Sequence, residues 1–147
     1  ARAWIESARD RIGDGAVIAI DYASTTAELA QVPDTGWLRT YRDQQRGAEV
    51  LERPGAQDLT ADVCIDQLPA PDARIEQAGF LRRHGFDELV DEGRRIWEER
   101  AHLGDLTALR ARSRVIEAAA LVDPAGLGRF VVMLWNAPGE RGRTIEL

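Results

Sequence analysis

The chain has 147 residues, 44% hydrophobic and 30% charged, a composition that excludes disordered and collagen-like classes and suits one folded domain. Its formal net charge of -6 argues against a general nucleic-acid surface, which needs a concentrated excess of Lys and Arg. One cysteine, Cys64, cannot make an internal disulfide, and two histidines without clustered cysteines make a structural zinc site a poor expectation. A cytoplasmic setting fits the lone cysteine. The longest apolar runs, such as Phe130–Trp135, fall far short of the roughly 20 residues of a transmembrane helix, so no membrane span is expected.

Taken in order, Ala1 to Ile12 reads as a helix with Trp4, Ile5, Ala8 and Ile12 at helical spacing. It begins without an initiator Met, which fits a fragment or a processed product. Gly15 to Tyr22 follows as a strand. Its continuous apolar run, rich in β-branched Val17, Ile18 and Ile20, suits a parallel strand covered on both faces. Ligands of α/β sheets sit beyond the carboxyl ends of such strands, which makes Asp21 and Tyr22 the first functional suspects. Each also has a structural reading, Asp21 as a helix cap and Tyr22 as packing beneath a loop.

Ser24 to Ala30 predicts a short helix capped by Ser24 or Thr25, and Pro33 to Gly36 a turn. Trp37 to Tyr41 predicts a short strand carrying Arg39, and Asp43 to Arg53 a mobile surface loop. Arg39 either serves a site or holds Asp58 in an ion pair. Asp58 and Thr60 follow Pro54-Gly55 as turn residues whose oxygens bond backbone N–H groups or contact substrate. Tyr41 shares this loop-rich region, where function concentrates. Val63 to Ile65 predicts a brief strand, and Cys64 an inert buried thiol.

A short helix ending near Gly85 carries Gln77, as a cap or facing a pocket. Two longer helices follow. One runs from about Asp87 to Ala101, and the other is capped by Asp105 with Leu106, Leu109, Ile116 and Ala120 as its expected buried stripe. Arg129 to Asn136 predicts a strand, and Arg143 to Glu146 pairs nearby or frays. Trp4, Trp97 and Trp135 are expected in the core, and Trp37 covers a site or a gap. His84 and His102 lack an adjacent nucleophile, so no catalytic pair is expected.

Five ordered segments, Ile18–Tyr22, Gly36–Tyr41, Pro54–Val63, Glu76–Gly85 and Leu127–Val132, together resemble the carboxyl-terminal half of the MidA family of S-adenosylmethionine-dependent methyltransferases. That family includes the mitochondrial protein-arginine methyltransferase that assists respiratory complex I assembly. The resemblance implies an α/β fold, the C-terminal portion of a class I (Rossmann-like) methyltransferase, with a mixed sheet and helical insertions. It makes Ala16 to Asp21 the fifth strand and Arg129 to Trp135 one of the last two, with an antiparallel hairpin among the late strands. It places the S-adenosylmethionine glycine motif upstream of Ala1, so this chain is expected to hold no cofactor-binding residues of its own and no metal site. Departures from the family pattern are Ala23, Trp37 and Gln44, where relatives usually carry Gly, Gly-Thr and His.

On this reading residues 1–147 form a single or partial domain: 1–22 helix and central strand, 23–75 a loop-rich acceptor side, 76–120 helices, 129–147 terminal strands. The resemblance implies Asp21 and Tyr22 as catalytic, with Arg39, Tyr41, Asp58, Thr60 and Gln77 on the substrate side. The implied activity is methylation of a protein side chain such as arginine, silent in this chain alone. The expected partners are a protein substrate and either the missing N-terminal half or a second copy paired along the exposed strand edge. The alternative is a non-catalytic interaction module of the same fold that binds a protein through the Trp37-to-Thr60 loops.

Overall fold

The computed structural model describes residues 1–47, 49–52, 54–137 and 145–147. Helix α1 (Arg2–Ile12) ends at Gly13, whose φ of 70° few other residues adopt, and strand β1 (Ala16–Asp21) follows. Then come β2 (Ala23–Ser24), α2 (Thr26–Leu29), the single turn α3 (Asp34–Trp37), β3 (Leu38–Arg42), β4 (Gln45–Arg46), β5 (Asp58–Ala61) and β6 (Val63–Cys64). The second half holds β7 (Ala73–Glu76), α4 (Gln77–Arg83), α5 (Phe86–Arg100), α6 (Leu106–Val122) and β8 (Val131–Asn136).

Three small sheets organise these elements. The first has the order β1-β8-β7, antiparallel throughout, with Val17 opposite Trp135 and Ile75 opposite Val132. The second joins β2 and β6 in parallel, and the third has the order β4-β3-β5. The late strands β7 and β8 pair antiparallel, but not as the expected hairpin: α4, α5 and α6 lie between them in the chain. The expected parallel setting of β1 is corrected: among the described residues its hydrogen-bonded neighbour is β8, antiparallel.

The core lies between α1 and the first sheet. Val17, Met133 and Trp135 face α1, where Ile5 and half-buried Ala8 meet them, and Leu68 closes the cluster. Trp135 is fully buried and its indole N–H donates to the Pro69 carbonyl at 2.9 Å, so a large ring is buried with its polar atom satisfied. Burial of β1 on both faces fails, because Ile18 and Ile20 are exposed on the face away from α1. Strand alternation places these two residues opposite Val17 and Ala19, and an apolar run does not reveal which face is covered.

Other expectations change locally. Thr25, not Ser24, caps α2, and Glu28 completes a capping box by accepting from the Thr25 backbone N–H. The expected loop at Asp43 begins as a hairpin: Asp43 and Gln44 take φ of 48° and 62°, as a two-residue turn between β3 and β4 requires. Ala48 and Arg53, within that predicted loop, lie outside the described residues, as do Arg143 and Thr144 of the predicted terminal pairing. Ile145 donates its N–H to the Asn136 side chain at 2.8 Å. Strand β7 escaped the sequence reading because its four residues alternate Ala, Arg, Ile and Glu too briefly to signal.

The helix pair α5 and α6 meets through small residues. Gly93 and Val90 of α5 are buried, and Ala108, Ala111 and Ala118 form the buried side of α6. A Cβ on Gly93 would stand 3.2 Å from the Ala111 carbonyl oxygen, a measure of how closely the backbones approach. The stripe expected inside, Leu106, Leu109, Ile116 and Ala120, instead faces out. Trp4, 66% exposed, also leaves the expected core, and Trp97 is half-buried beneath Arg112.

Candidate active site

Strand β1 ends at the junction where the chain leaves the first sheet for the second, and two clefts open on either side of it. Consecutive residues of an extended chain point to opposite faces, so Asp21 and Tyr22 part company there. Asp21 borders an apolar cleft of about 270 Å³ with Trp4, Leu68, Met133 and Trp135. Tyr22 lines a polar cleft of about 350 Å³ with Arg39, Asp62, Arg129 and Phe130.

The polar cleft is built around Arg39. Its guanidinium donates to Asp62 Oδ1 at 2.6 Å, to the Gly36 carbonyl at 3.2 Å and to Thr60 Oγ1 at 3.4 Å. It also lies 4.6 Å from the centre of the Tyr22 ring, which packs against Phe130 at a 4.1 Å centroid distance. The second oxygen of Asp62 accepts from Ser24 Oγ at 3.3 Å. Both Arg39 and Asp62 have side chains little more than a tenth exposed. Asp62 therefore accepts one hydrogen bond on each oxygen, which fixes the orientation of its carboxylate.

This arrangement corrects the expected Arg39 to Asp58 ion pair. Asp58 and Tyr41 face each other across β3 and β5, where Asp58 is exposed and neither lines the cleft. Thr60 belongs to β5 rather than to a turn, and its hydroxyl orients Arg39. Gln77 opens α4 and donates from Nε2 to the Leu121 carbonyl at 3.0 Å, which ties α4 to the end of α6. Of the seven suspects, the structure brings together Tyr22, Arg39 and Thr60, leaves Asp21 on the neighbouring cleft, and gives Tyr41, Asp58 and Gln77 places in the framework.

Asp62, Arg129 and Phe130 were missed. The alternation that puts Thr60 on one face continues to Asp62, so a strand reading of 58–61 would have pointed to it. Arg129 and Phe130 come from the far end of the chain, where sequence carries no sign of their neighbours. Arg129 is exposed at the rim, beside the turn after Gly126.

Asp21 keeps one oxygen on its own strand end, accepting the Tyr22 N–H at 2.8 Å. The residue also lines the apolar cleft. Neither glycine pair builds a nucleotide cradle. Gly13 and Gly15 lie in a turn from helix to strand, the reverse of the strand-to-helix turn that presents N–H groups to phosphate or ribose. The amides of Gly126 and Gly128 are taken by the Asp123 carbonyl at 3.0 and 2.9 Å.

An α/β framework with aromatic and polar clefts at a strand's carboxyl end is the class of protein the fold defines. The family model described as "Putative S-adenosyl-L-methionine-dependent methyltransferase" matches residues 1–86, more than half of the chain, and the chain belongs to that family. Two crystal structures share the fold. One is an uncharacterized superfamily protein from Burkholderia thailandensis, with 22% identity and a TM-score of 0.67. The other, also from Burkholderia thailandensis, is a superfamily member bound to S-adenosyl-homocysteine, with 22% identity and a TM-score of 0.66. Each comparison covers 91% of this chain but only 36% and 35% of those chains, so the present chain spans about a third of their length. No curated protein matches the sequence significantly.

Proposed function

We propose that this chain forms the acceptor side, the carboxyl-terminal part, of a MidA-like methyltransferase that transfers a methyl group from S-adenosylmethionine to a protein side chain, arginine in the first instance. The observation that carries the reading is the pair of clefts at the end of β1 in a member of this family. S-adenosylmethionine supplies an electrophilic methyl on a sulfonium, and the described residues offer it no glycine cradle. Its binding therefore falls to sequence outside this stretch, and the chain alone is silent.

The two clefts differ in what they suit. Arg39 and Arg129 outnumber Asp62 in the polar cleft, so it repels a guanidinium. The other cleft suits one: an apolar channel for the aliphatic stem, with the Asp21 carboxylate at its mouth for the charged head. There Asp21 orients the acceptor nitrogen and holds its positive charge, while Leu68 and Met133 line the channel for the stem. Tyr22 and Arg39 shape the adjoining surface, where the flanking peptide lies.

Calorimetric titration of S-adenosylmethionine into this chain and into a longer version carrying the upstream sequence tests the reading. Binding to the longer protein alone is the expected result, and no binding to either overturns it. In the longer protein, Asp21→Asn is expected to leave cofactor binding unchanged and to lower kcat/KM for an arginine peptide by about 100-fold. An unchanged kcat/KM removes Asp21 from the acceptor site. The interaction-module alternative binds a protein through the Trp37-to-Thr60 loops, and the outer edge of β1, unpaired among the described residues, is open to a second copy or to a missing strand.

A further inference from the structure

The outward face of α6 has the pattern of a helix with a partner. At about 100° per residue, Leu106, Leu109, Ser113, Ile116 and Ala120 fall on one narrow side, directly opposite the buried Ala108, Ala111 and Ala118. Leu106 is 70% exposed and Ile116 62%, and nothing among the described residues covers them. The spacing is a heptad: Leu106, Ser113 and Ala120 recur at one position, Leu109 and Ile116 at the other. A stripe of this kind is under-used on a solvated helix, where an amphipathic helix buries its larger side chains.

We propose that this stripe is the interface for a second copy of the chain, with the two α6 helices packed antiparallel. The flanking charges select the occupant. Arg110 and Glu117 are seven residues apart, so both lie on the same edge of the stripe. In an antiparallel pair of identical helices that edge faces itself, which brings Arg110 of each copy to Glu117 of the other, twice by symmetry. Arg110 has no partner among the described residues, and Glu117 accepts only a 2.7 Å bond from Ser113 on its own helix. A stripe that complements itself in both shape and charge needs no foreign sequence.

A parallel pair is less suited. It would set Arg110 against Asp105 and Glu117 against Arg112, and both of those partners are already engaged. Asp105 caps α6 through the Ala108 N–H and binds Arg100, and Arg112 lies over the Trp97 ring at 5.2 Å. Ser113 and Ala120 leave room for the partner's Leu109 and Ile116 to insert, which antiparallel packing of large against small residues requires. This interface is separate from the β1 edge and from both clefts, and it does not depend on the methyltransferase reading.

Sedimentation equilibrium of the chain across a concentration series, with circular dichroism to confirm helix content, tests the proposal. The wild-type chain is expected to dimerise. Arg110→Glu and Glu117→Arg, taken singly, are each expected to weaken the dimer by about tenfold, through like charges facing each other twice. The double variant is expected to restore wild-type association. Arg110 and Glu117 are two helical turns apart on their own helix, so rescue cannot come from within one copy. A wild-type chain that stays monomeric, or a dimer indifferent to the swaps, overturns the proposal, the latter assigning association to the β1 edge. Further weakening in the double variant also overturns it, because only the parallel arrangement predicts that result.

Discussion

Arg39 shows how one side chain can organise a cleft. Its three hydrogen bonds reach a carboxylate, a hydroxyl and a backbone carbonyl, and its plane stacks near Tyr22, a set that only a planar guanidinium serves at once. Replacing Arg39 with Ala leaves Asp62 with one partner in a nearly enclosed setting, and is expected to destabilise the fold by roughly 3 kcal/mol in urea unfolding. Arg39→Lys recovers only part of the loss, since one ammonium cannot span Thr60, Gly36 and Asp62. The residue was legible as a candidate because it sits in a loop-rich stretch, yet its partner was not. Asp58 and Asp62 differ in the sequence only by distance, and strand register chose between them.

Among the elements, α6 depends most clearly on its ends. Asp105 accepts from the Ala108 N–H and binds Arg100, and the first of these, then the second, holds its carboxyl below the ordinary range. A depressed folded pKa stabilises the native state in full above the unfolded value, and the gain disappears as pH falls through the folded one. Urea midpoints measured from pH 6 to about pH 2 are expected to converge for the native chain and Asp105→Ala at the acid end, with the native chain ahead near neutrality. This cap was legible, since Asp before an apolar helical pattern is a local signal. The buried face was not: the helix carries leucines on one side and alanines on the other, and packing took the alanines. Close approach to Gly93 needs small residues, so the larger side chains were left outside. At the opposite end of the helix, a Cβ on Gly128 would overlap the Val122 and Asp123 carbonyls, which holds the return toward β8 to glycine.

At the scale of the whole molecule, the described chain is one core with open surfaces. Its first sheet is covered by α1 on one face, while on the other Val132 and Leu134 of β8 are fully buried and Ile18 and Ile20 of β1 remain about half exposed, beside a strand edge that is unpaired among the described residues. Ile18→Lys with Ile20→Lys is expected to reduce binding of the dye ANS and light scattering, with little change in melting temperature, because both side chains already meet solvent. A fall in melting temperature would instead show that the face is covered. The chain spans about a third of the length of its structural neighbours.

The sequence by itself determined the longer helices, the extended run of β1, the cap at Asp105 and the broad methyltransferase family, because periodicity, capping chemistry and ordered motifs are local and survive without coordinates; that β1 lies at a sheet edge rather than at its centre was not among them. Only the tertiary structure decided that Asp21 and Tyr22 serve different clefts, that Arg39 pairs with Asp62, that Arg129 and Phe130 close the polar cleft, and that α6 turns its leucines outward. Each of those outcomes depends on register or on which face of an element meets a neighbour. Contacts between residues far apart in the chain fix both, and no local pattern encodes them.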